Sequence, residues 1–241
     1  MSVIINIESS GSGCSVALSV DGNVEYSKIE RTPMRQSTDL APYAAGAMEE
    51  LVRHEWKADA VAVSTGPGSY TGLRIGMSLA KGLAFSLDVP LIGVETLKLL
   101  AVKAMFRRID FTGDEIIVPM VDARRMEVYT AAYDSALNAL LPPQALIIRP
   151  DSFDTLPSDR KIVILGDGAM KTKEVLKLPN AEWMDGVLPL ATDMPALAEK
   201  AFRENDFLDV AYGVPTYIKD YAAVHGENPL AHLLHGVQLH K

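Results

Sequence analysis

The stretch STGPGSYTGLRIGMSLAKGLAF, residues 64–85, decides how the rest of the chain is read. It opens on a glycine-rich turn, Gly66-Pro67-Gly68-Ser69, and continues as a helix. Pro67 pre-sets one backbone angle, and the flanking glycines reach conformations closed to residues with a Cβ. Ser69 or Thr71 then caps the first helical amides. Gly72, Gly76 and Gly82 each cost a helix about 1 kcal/mol relative to alanine, roughly 3 kcal/mol together, and packing must recover it. Gly72, Gly76, Ala80 and Ala84 recur at every fourth position and form one bare row. Ile75, Leu79 and Leu83 make a bulky row beside it, while Arg74, Ser78 and Lys81 keep the remaining surface polar. A bare row admits another backbone, either the chain's own sheet or a second protein. Phosphate binding at the helix N-terminus is a third reading. It is the weakest, because Gly72 is followed by Leu73-Arg74-Ile75 and not by the Lys and Ser/Thr of a phosphate loop.

With 241 residues the chain fits one large domain or two apposed lobes. A net charge of 23 − 31 = −8 argues against unaided nucleic-acid binding, which cationic contacts drive. It leaves open a complex whose partner supplies the positive surface. Cys14 stands alone, so no internal disulfide forms. The opening residues lack a cationic region and meet Glu8 early, unlike a signal peptide. No apolar run approaches membrane-spanning length, so the expectation is a cytoplasmic protein with no membrane partner.

Three strands joined by short turns begin the chain: Val3 to Ile7, Cys14 to Val20, and Val24 to Ile29 after the Asp21-Gly22-Asn23 hairpin signal. A helix follows to about Trp56, capped by Ser37, Thr38 or Asp39. Leu40, Ala44, Ala47, Met48 and Leu51 share one of its faces, and Ala41, Ala45 and Gly46 give it a second, small-residue surface. Buried strands at Asp59 to Ser64 and Val89 to Val94 flank the opening helix, and a helix covers Glu95 to Phe106. That alternation implies parallel pairing. Strands at Glu115 to Val121 and Met126 to Tyr133 bracket a polar turn in which Asp122 and Arg124 form a salt bridge. Short strands at Leu146 to Ile148 and Ile162 to Leu165 come next, then Gly166-Asp167-Gly168, a turn suited to close approach. Helices are expected at Ala169 to Lys177 and Pro195 to Arg203, and an extended segment at Gly213 to Lys219. The division is a first lobe at 1–108, a second at 109–220 and a tail at 221–241. The tail's His225, His232, His235 and His240 lack the spacing of a helical metal pair.

Several segments matter in their order: Ile5-Asn-Ile-Glu-Ser-Ser, Cys14-Ser-Val-Ala-Leu18, Ser64-Thr-Gly-Pro-Gly-Ser-Tyr-Thr-Gly-Leu-Arg-Ile-Gly76, Ala80-Lys-Gly-Leu-Ala84, Asp122-Ala-Arg-Arg-Met-Glu-Val-Tyr129, Gly166-Asp-Gly-Ala169 and Pro215-Thr-Tyr-Ile-Lys219. Together they resemble the TsaB (YeaZ) family, the non-catalytic subunit of the bacterial machinery that makes threonylcarbamoyladenosine in tRNA. The resemblance spans Val3 to Lys219, and the GPGSYTGLR segment is its most specific part. It implies an α/β actin/Hsp70/sugar-kinase-like (ASKHA) fold of two related lobes, each a mixed β-sheet flanked by helices. It implies a TsaD-like catalytic paralogue as partner, a homodimer when alone, a TsaE-like ATPase in the wider complex, and tRNA reached only through that complex. The interface it implies comprises Leu40, Ala44, Met48 and Leu51 on one helix, with Gly72, Arg74, Ile75, Gly76, Leu79, Ala80 and Leu83 on the other.

No cofactor is expected on this chain alone. For ATP or ADP in the complex, the candidate contacts are Glu8, Ser9, Ser10, Ser12, Gly166, Asp167 and Gly168. Two departures from the kinase-like pattern matter. Glu8 stands where those proteins place an Asp that helps hold nucleotide-bound metal. The stretch Arg35 to Leu40 lacks the His-x-x-x-His pair of the catalytic relative, so no metal, no catalytic residue and no metallopeptidase activity are expected. The rival reading is an autonomous ATPase or phosphotransferase of the same fold, resting on the two glycine- and serine-bearing turns.

Overall fold

A computed structural model describes residues 1–108 and 110–219. Strand β1 (Val3–Glu8) is buried along its whole length. It pairs antiparallel with β2 (Cys14–Val20), and β2 antiparallel with β3 (Asn23–Glu30). On its other side β1 runs parallel to β4 (Ala60–Gly66), and β4 to β5 (Leu91–Glu95), giving the order β3-β2-β1-β4-β5. Side chains alternate between two cores, as a period of two demands. Val3, Ile5, Ile7, Val16, Leu18, Val61 and Val63 enter one, and Ile4, Ala17, Ala60, Ala62 and Ile92 enter the other. Both faces are covered, which is why β1 and β4 are buried at every position and carry their apolar residues on both faces. Helices α1 (Gln36–Arg53) and α2 (Tyr70–Leu87) lie side by side on the first face.

The second sheet repeats this plan. It contains β6 (Ile116–Asp122), β7 (Glu127–Tyr133), β8 (Ala139–Ile147), β9 (Ile162–Leu165) and β10 (Ala181–Met184), in the order β10-β9-β6-β7-β8. Its first three strands are antiparallel, and β6, β9 and β10 run parallel. A duplicated five-strand unit of this order is the two-lobed actin/Hsp70/sugar-kinase-like architecture. Helix α3 (Thr96–Arg107) is wedged between the sheets. Its Leu99 joins the first sheet's core, while Leu97, Leu100, Ala101 and Ala104 pack on Ile117, Val121, Ala131 and Leu165 of the second.

Four elements differ from the sequence expectation. Helix α1 begins at Gln36 with Arg35 at the cap and no capping side chain; an Arg35–Asp39 ion pair of 2.9 Å sits in its first turn. The expected helix at 169–177 shrinks to a 3-10 turn at Met170–Thr172. Strand β8 is longer than 146–148 and carries Pro142 and Pro143, tolerated because it is an edge strand. Strand β10 has no counterpart in the expectation; its four residues are all half-buried and show no alternation. The lobe division at 108/109 is also crossed. Helix α4 (Pro195–Glu204) returns to the first sheet, where Ala198 with Leu197, Ala201 and Phe202 covers the face that α1 and α2 leave open. Leu208 then donates its amide to the Leu91 carbonyl at 2.7 Å. Among the described residues no helix is long and apolar enough to cross a membrane. The histidine-bearing tail lies outside the described residues.

Candidate functional site

The turn before α2 and the turn after β1 are locked together. The Ser69 amide donates to the Ser10 carbonyl at 2.7 Å. A Cβ on Gly68 would stand 2.3 Å from the Ser10 carbonyl oxygen, and one on Gly72 2.2 Å from that of Ser9. A Cβ on Gly76 would meet Ser9 Oγ at 2.1 Å. Ser69 Oγ accepts from the Gly72 amide at 3.2 Å, the cap expected from the sequence. The bare row therefore serves internal packing on β1 and β4. This corrects six of the interface residues implied by the resemblance: Gly72, Gly76, Ala80, Leu40, Ala44 and Leu51 are buried within the chain. Arg74 is exposed, but it turns toward the cleft described below.

The opposite surfaces of the same two helices face solvent. On α1, Ala41, Ala45 and Val52 are exposed with Met48 half-buried, a helical spacing that makes a second apolar stripe. On α2, Ile75, Leu79 and Leu83 are half-buried, and Phe85 is 82% exposed. Among the described residues, a Cβ on Gly82 would have nothing within 4 Å. Unlike Gly72 and Gly76, this glycine has no internal packing reason.

The Ser9–Gly13 turn is closed from within. Gln36 Nε2 donates to the carbonyls of Gly11, Ser12 and Gly13 at 3.1, 3.0 and 3.2 Å. Glu8 is fully buried, and its Oε1 accepts from the Ser10 amide and hydroxyl, each at 2.5 Å. Burial pushes the Glu8 carboxyl above its ordinary pKa, with the Ser10 hydrogen bonds pulling the other way. Of the four candidate nucleotide contacts here, Glu8, Ser9 and Ser10 are buried and only Ser12 is exposed. The other three candidates, Gly166, Asp167 and Gly168, pack on β6. A Cβ on Gly166 would meet the Met120 carbonyl at 2.2 Å, and one on Gly168 the Asp122 amide nitrogen at 3.0 Å. Asp167 Oδ1 accepts from the Asp122 amide at 2.9 Å.

The expected Asp122–Arg124 salt bridge does not form. Asp122 pairs with Lys171 and accepts a hydrogen bond from the Arg124 backbone amide at 3.2 Å. Arg124 and Arg125 take left-handed backbone conformations, φ +70° and +49°. Arg124 lines a cleft of about 870 Å³ between the lobes. One wall is the Pro67–Thr71 turn with Arg74, the facing wall is Asp122–Arg124 with Glu127 and Tyr129, and the segment 216–219 closes the side. That segment crosses both lobes. Thr216 donates its amide to the Thr65 carbonyl at 2.8 Å, and Lys219 pairs with Glu127 at 2.5 Å. Behind it Lys81 Nζ donates to the carbonyls of Ala211 and Gly213 at 2.7 and 3.1 Å. Arg74 lies 4.3 Å over the Tyr70 ring and donates Nε to the Tyr217 hydroxyl at 3.3 Å. Sequence reasoning placed none of Tyr70, Arg124, Tyr129 or Tyr217 together, because three distant segments supply them. Sequence reasoning counted Gly82 only as a helix cost and passed over Phe85; that both fall off the row repeating every fourth residue is the signal that marks them.

The comparisons with known proteins converge. The family model for TsaD, tRNA N6-adenosine threonylcarbamoyltransferase, matches residues 32–215. The tRNA threonylcarbamoyladenosine biosynthesis protein TsaB of Escherichia coli (strain K12) is 29% identical over 231 residues, covering 91% of this chain and 96% of that protein. TsaB of Bacillus subtilis (strain 168) is 30% identical over 223 residues, covering 90% and 93%. Among solved structures, YeaZ from Pseudomonas aeruginosa superposes with a TM-score of 0.74 at 27% identity, covering 90% of this chain and all of that one. On this sustained likeness in sequence, length and fold, the chain belongs to the TsaB family of tRNA threonylcarbamoyladenosine biosynthesis proteins.

Proposed function

We propose that this chain is a non-catalytic assembly subunit. It docks on a TsaD-type catalytic paralogue through the solvent side of α1 and α2, holds that enzyme in a productive state for threonylcarbamoyl transfer to the tRNA adenosine beside the anticodon, and self-associates through the same face when alone. Its place is the cytoplasm, with a TsaE-type ATPase in the wider complex and ATP or ADP held there. One observation carries the docking surface: α1 and α2 present an outer apolar face over an already complete core, with Val52 and Phe85 78% and 82% exposed and Gly82 bare. Ile75, Leu79, Leu83 and Met48 lie half-buried in that face. The locked turn supports the non-catalytic part of the reading. In an autonomous phosphotransferase the amides of the Ser9–Gly13 turn would cradle phosphate, and here the Ser9 and Ser10 amides are already taken by Ser64 Oγ and Glu8 Oε1, while Gly68 and Ser69 pack against Ser10.

The test is light scattering during size-exclusion chromatography, on this chain alone and mixed with its TsaD-type paralogue. The expected result is a dimer that converts to a mixed complex. Gly82→Arg abolishes both species while leaving the thermal unfolding midpoint near its original value, because among the described residues no atom lies within 4 Å of a Cβ at that position. A mixed complex that survives Gly82→Arg and Phe85→Asp places the contact elsewhere. Steady ATP turnover by the isolated chain would favour the phosphotransferase.

A further inference from the structure

The sequence holds one more apolar stripe besides those of the described helices. It lies at 228–239, outside the described residues. Leu230, Leu233, Leu234 and Val237 recur there at the i, i+3, i+4, i+7 spacing of one helix face. Asn228 and Pro229 precede them, a capping residue and a first-turn residue in the order that a helix start requires. A stretch as short as 229–239, interrupted by Gly236, does not hold a helix in water by itself and needs an apolar surface to lie on. The solvent side of α1 and α2 is such a surface. Ala41 and Ala45 on α1, and Ser78 and Gly82 on α2, are small and exposed, so a third helix can come close. Val52 and Phe85, both exposed, offer it apolar contact. The charges also match. Residues 228–241 contain no acid and carry Lys241 with three histidines. Glu49, exposed between Ala45 and Val52, makes no ion pair among the described residues.

The described chain ends where the stripe can reach that surface. Lys81 Nζ donates to the carbonyls of Ala211 and Gly213, and Arg74 Nε to the Tyr217 hydroxyl, so the segment runs beside α2 toward its N-terminal end. The residues between Lys219 and Asn228, 220–227, span up to about 28 Å when extended. Helix α2, with 18 residues, is about 27 Å long. We propose that residues 228–239 of the same chain fold as a helix over the solvent side of α1 and α2, with Leu230, Leu233, Leu234 and Val237 turned onto Val52 and Phe85. The tail is then a tethered competitor for that face. It holds back self-association of the free chain and yields to a partner that binds the face more tightly. This regulatory consequence rests on the docking reading given above, whereas the seating of the tail does not.

Hydrogen exchange on the full chain reads the seating directly. At a dilution where light scattering finds a monomer, the amides of 230–239 exchange at least about tenfold more slowly than in a free peptide of the same sequence. Leu234→Asp on the tail and Gly82→Arg on α2 each remove that protection. Leu234 lies outside the described residues and Gly82 is exposed, so an unchanged thermal unfolding midpoint confirms that both variants are folded. The proposal is overturned if the original chain shows no protection, or if protection survives both Gly82→Arg and Phe85→Asp. Protection that appears only as concentration rises also overturns it, because the occupant is then the tail of a second copy. The consequence is read separately. Leu234→Asp tightens binding of the TsaD-type paralogue at least about fivefold, as expected when the face is free in about one molecule in five. Protection lost in both variants with that affinity unchanged keeps the tail on the face and overturns the docking reading instead.

Discussion

The two sheets share one strand order, yet they are clothed differently. In the first, the connections from β3 to β4 and from β4 to β5 are 18-residue helices, α1 and α2. In the second, the equivalent connections are an irregular segment at 148–161 and a short 3-10 turn at Met170–Thr172. The irregular segment still closes a core, through Ile148, Phe153 and Leu156 on β6, β7 and β9. A helix pair has two long faces, and once one covers the sheet the other is available. A turn-rich segment spends its few apolar residues on its own sheet. The duplicated fold thus keeps its strands, and its outward two-helix apolar face lies on the first lobe.

The comparison is broken most severely by a substitution in the irregular segment. Phe153→Ala should cost about 4 kcal/mol in chemical denaturation, as for a helix-borne core residue. A loss well under about 1 kcal/mol would mean that the segment does not replace a helix. Within α2, Gly72→Ala should cost about 3 kcal/mol, because its methyl group would press on the backbone carbonyl of Ser9. Gly82→Ala, ten residues further along the same helix, should stabilise the chain by about 1 kcal/mol. Opposite signs at the two glycines would sharpen the division between inner and outer faces, and equal signs would erase it.

The smallest effect concerns Glu8, in the buried turn beneath α2. Its folded pKa lies above the ordinary 4.5, so the folded state holds the proton more tightly than the unfolded chain. Its contribution to stability is then fully present below the unfolded value and is lost as pH rises through the folded one. Urea midpoints measured across that window should fall with pH in the original chain. They should fall less in Glu8→Gln, and an unchanged slope would show that Glu8 titrates normally.

The strands of both sheets were largely legible because buried parallel strands carry apolar residues on both faces, as Val3–Glu8, apart from Asn6 and Glu8, and Ile162–Leu165 show. Helix α2 was legible from its turn and its row of small residues. The direction of that row was not. Periodicity states which residues share a face, but both faces of α1 and α2 carry small and apolar side chains, so burial had to be seen. Strand β10 escaped because four half-buried residues, Ala181–Met184, carry no alternation. The cleft escaped for a different reason: residues 67–74, 122–129 and 216–219 meet only through the lobe arrangement, and no local pattern links them.

The return of α4 and Leu208 to the first sheet bears on how a ribosome delivers this protein. Strands β1 to β5 are complete when Glu95 has been made, but Ile4, Ala17, Ala60, Ala62 and Ile92 await Ala191, Met194 and Ala198 to finish their cover. At a synthesis rate of roughly 10 residues per second, that face stays incompletely covered for about 10 seconds. The nascent chain therefore carries an open hydrophobic sheet through a little under half of its synthesis, a natural substrate for a holding chaperone and the moment at which misassembly is most costly.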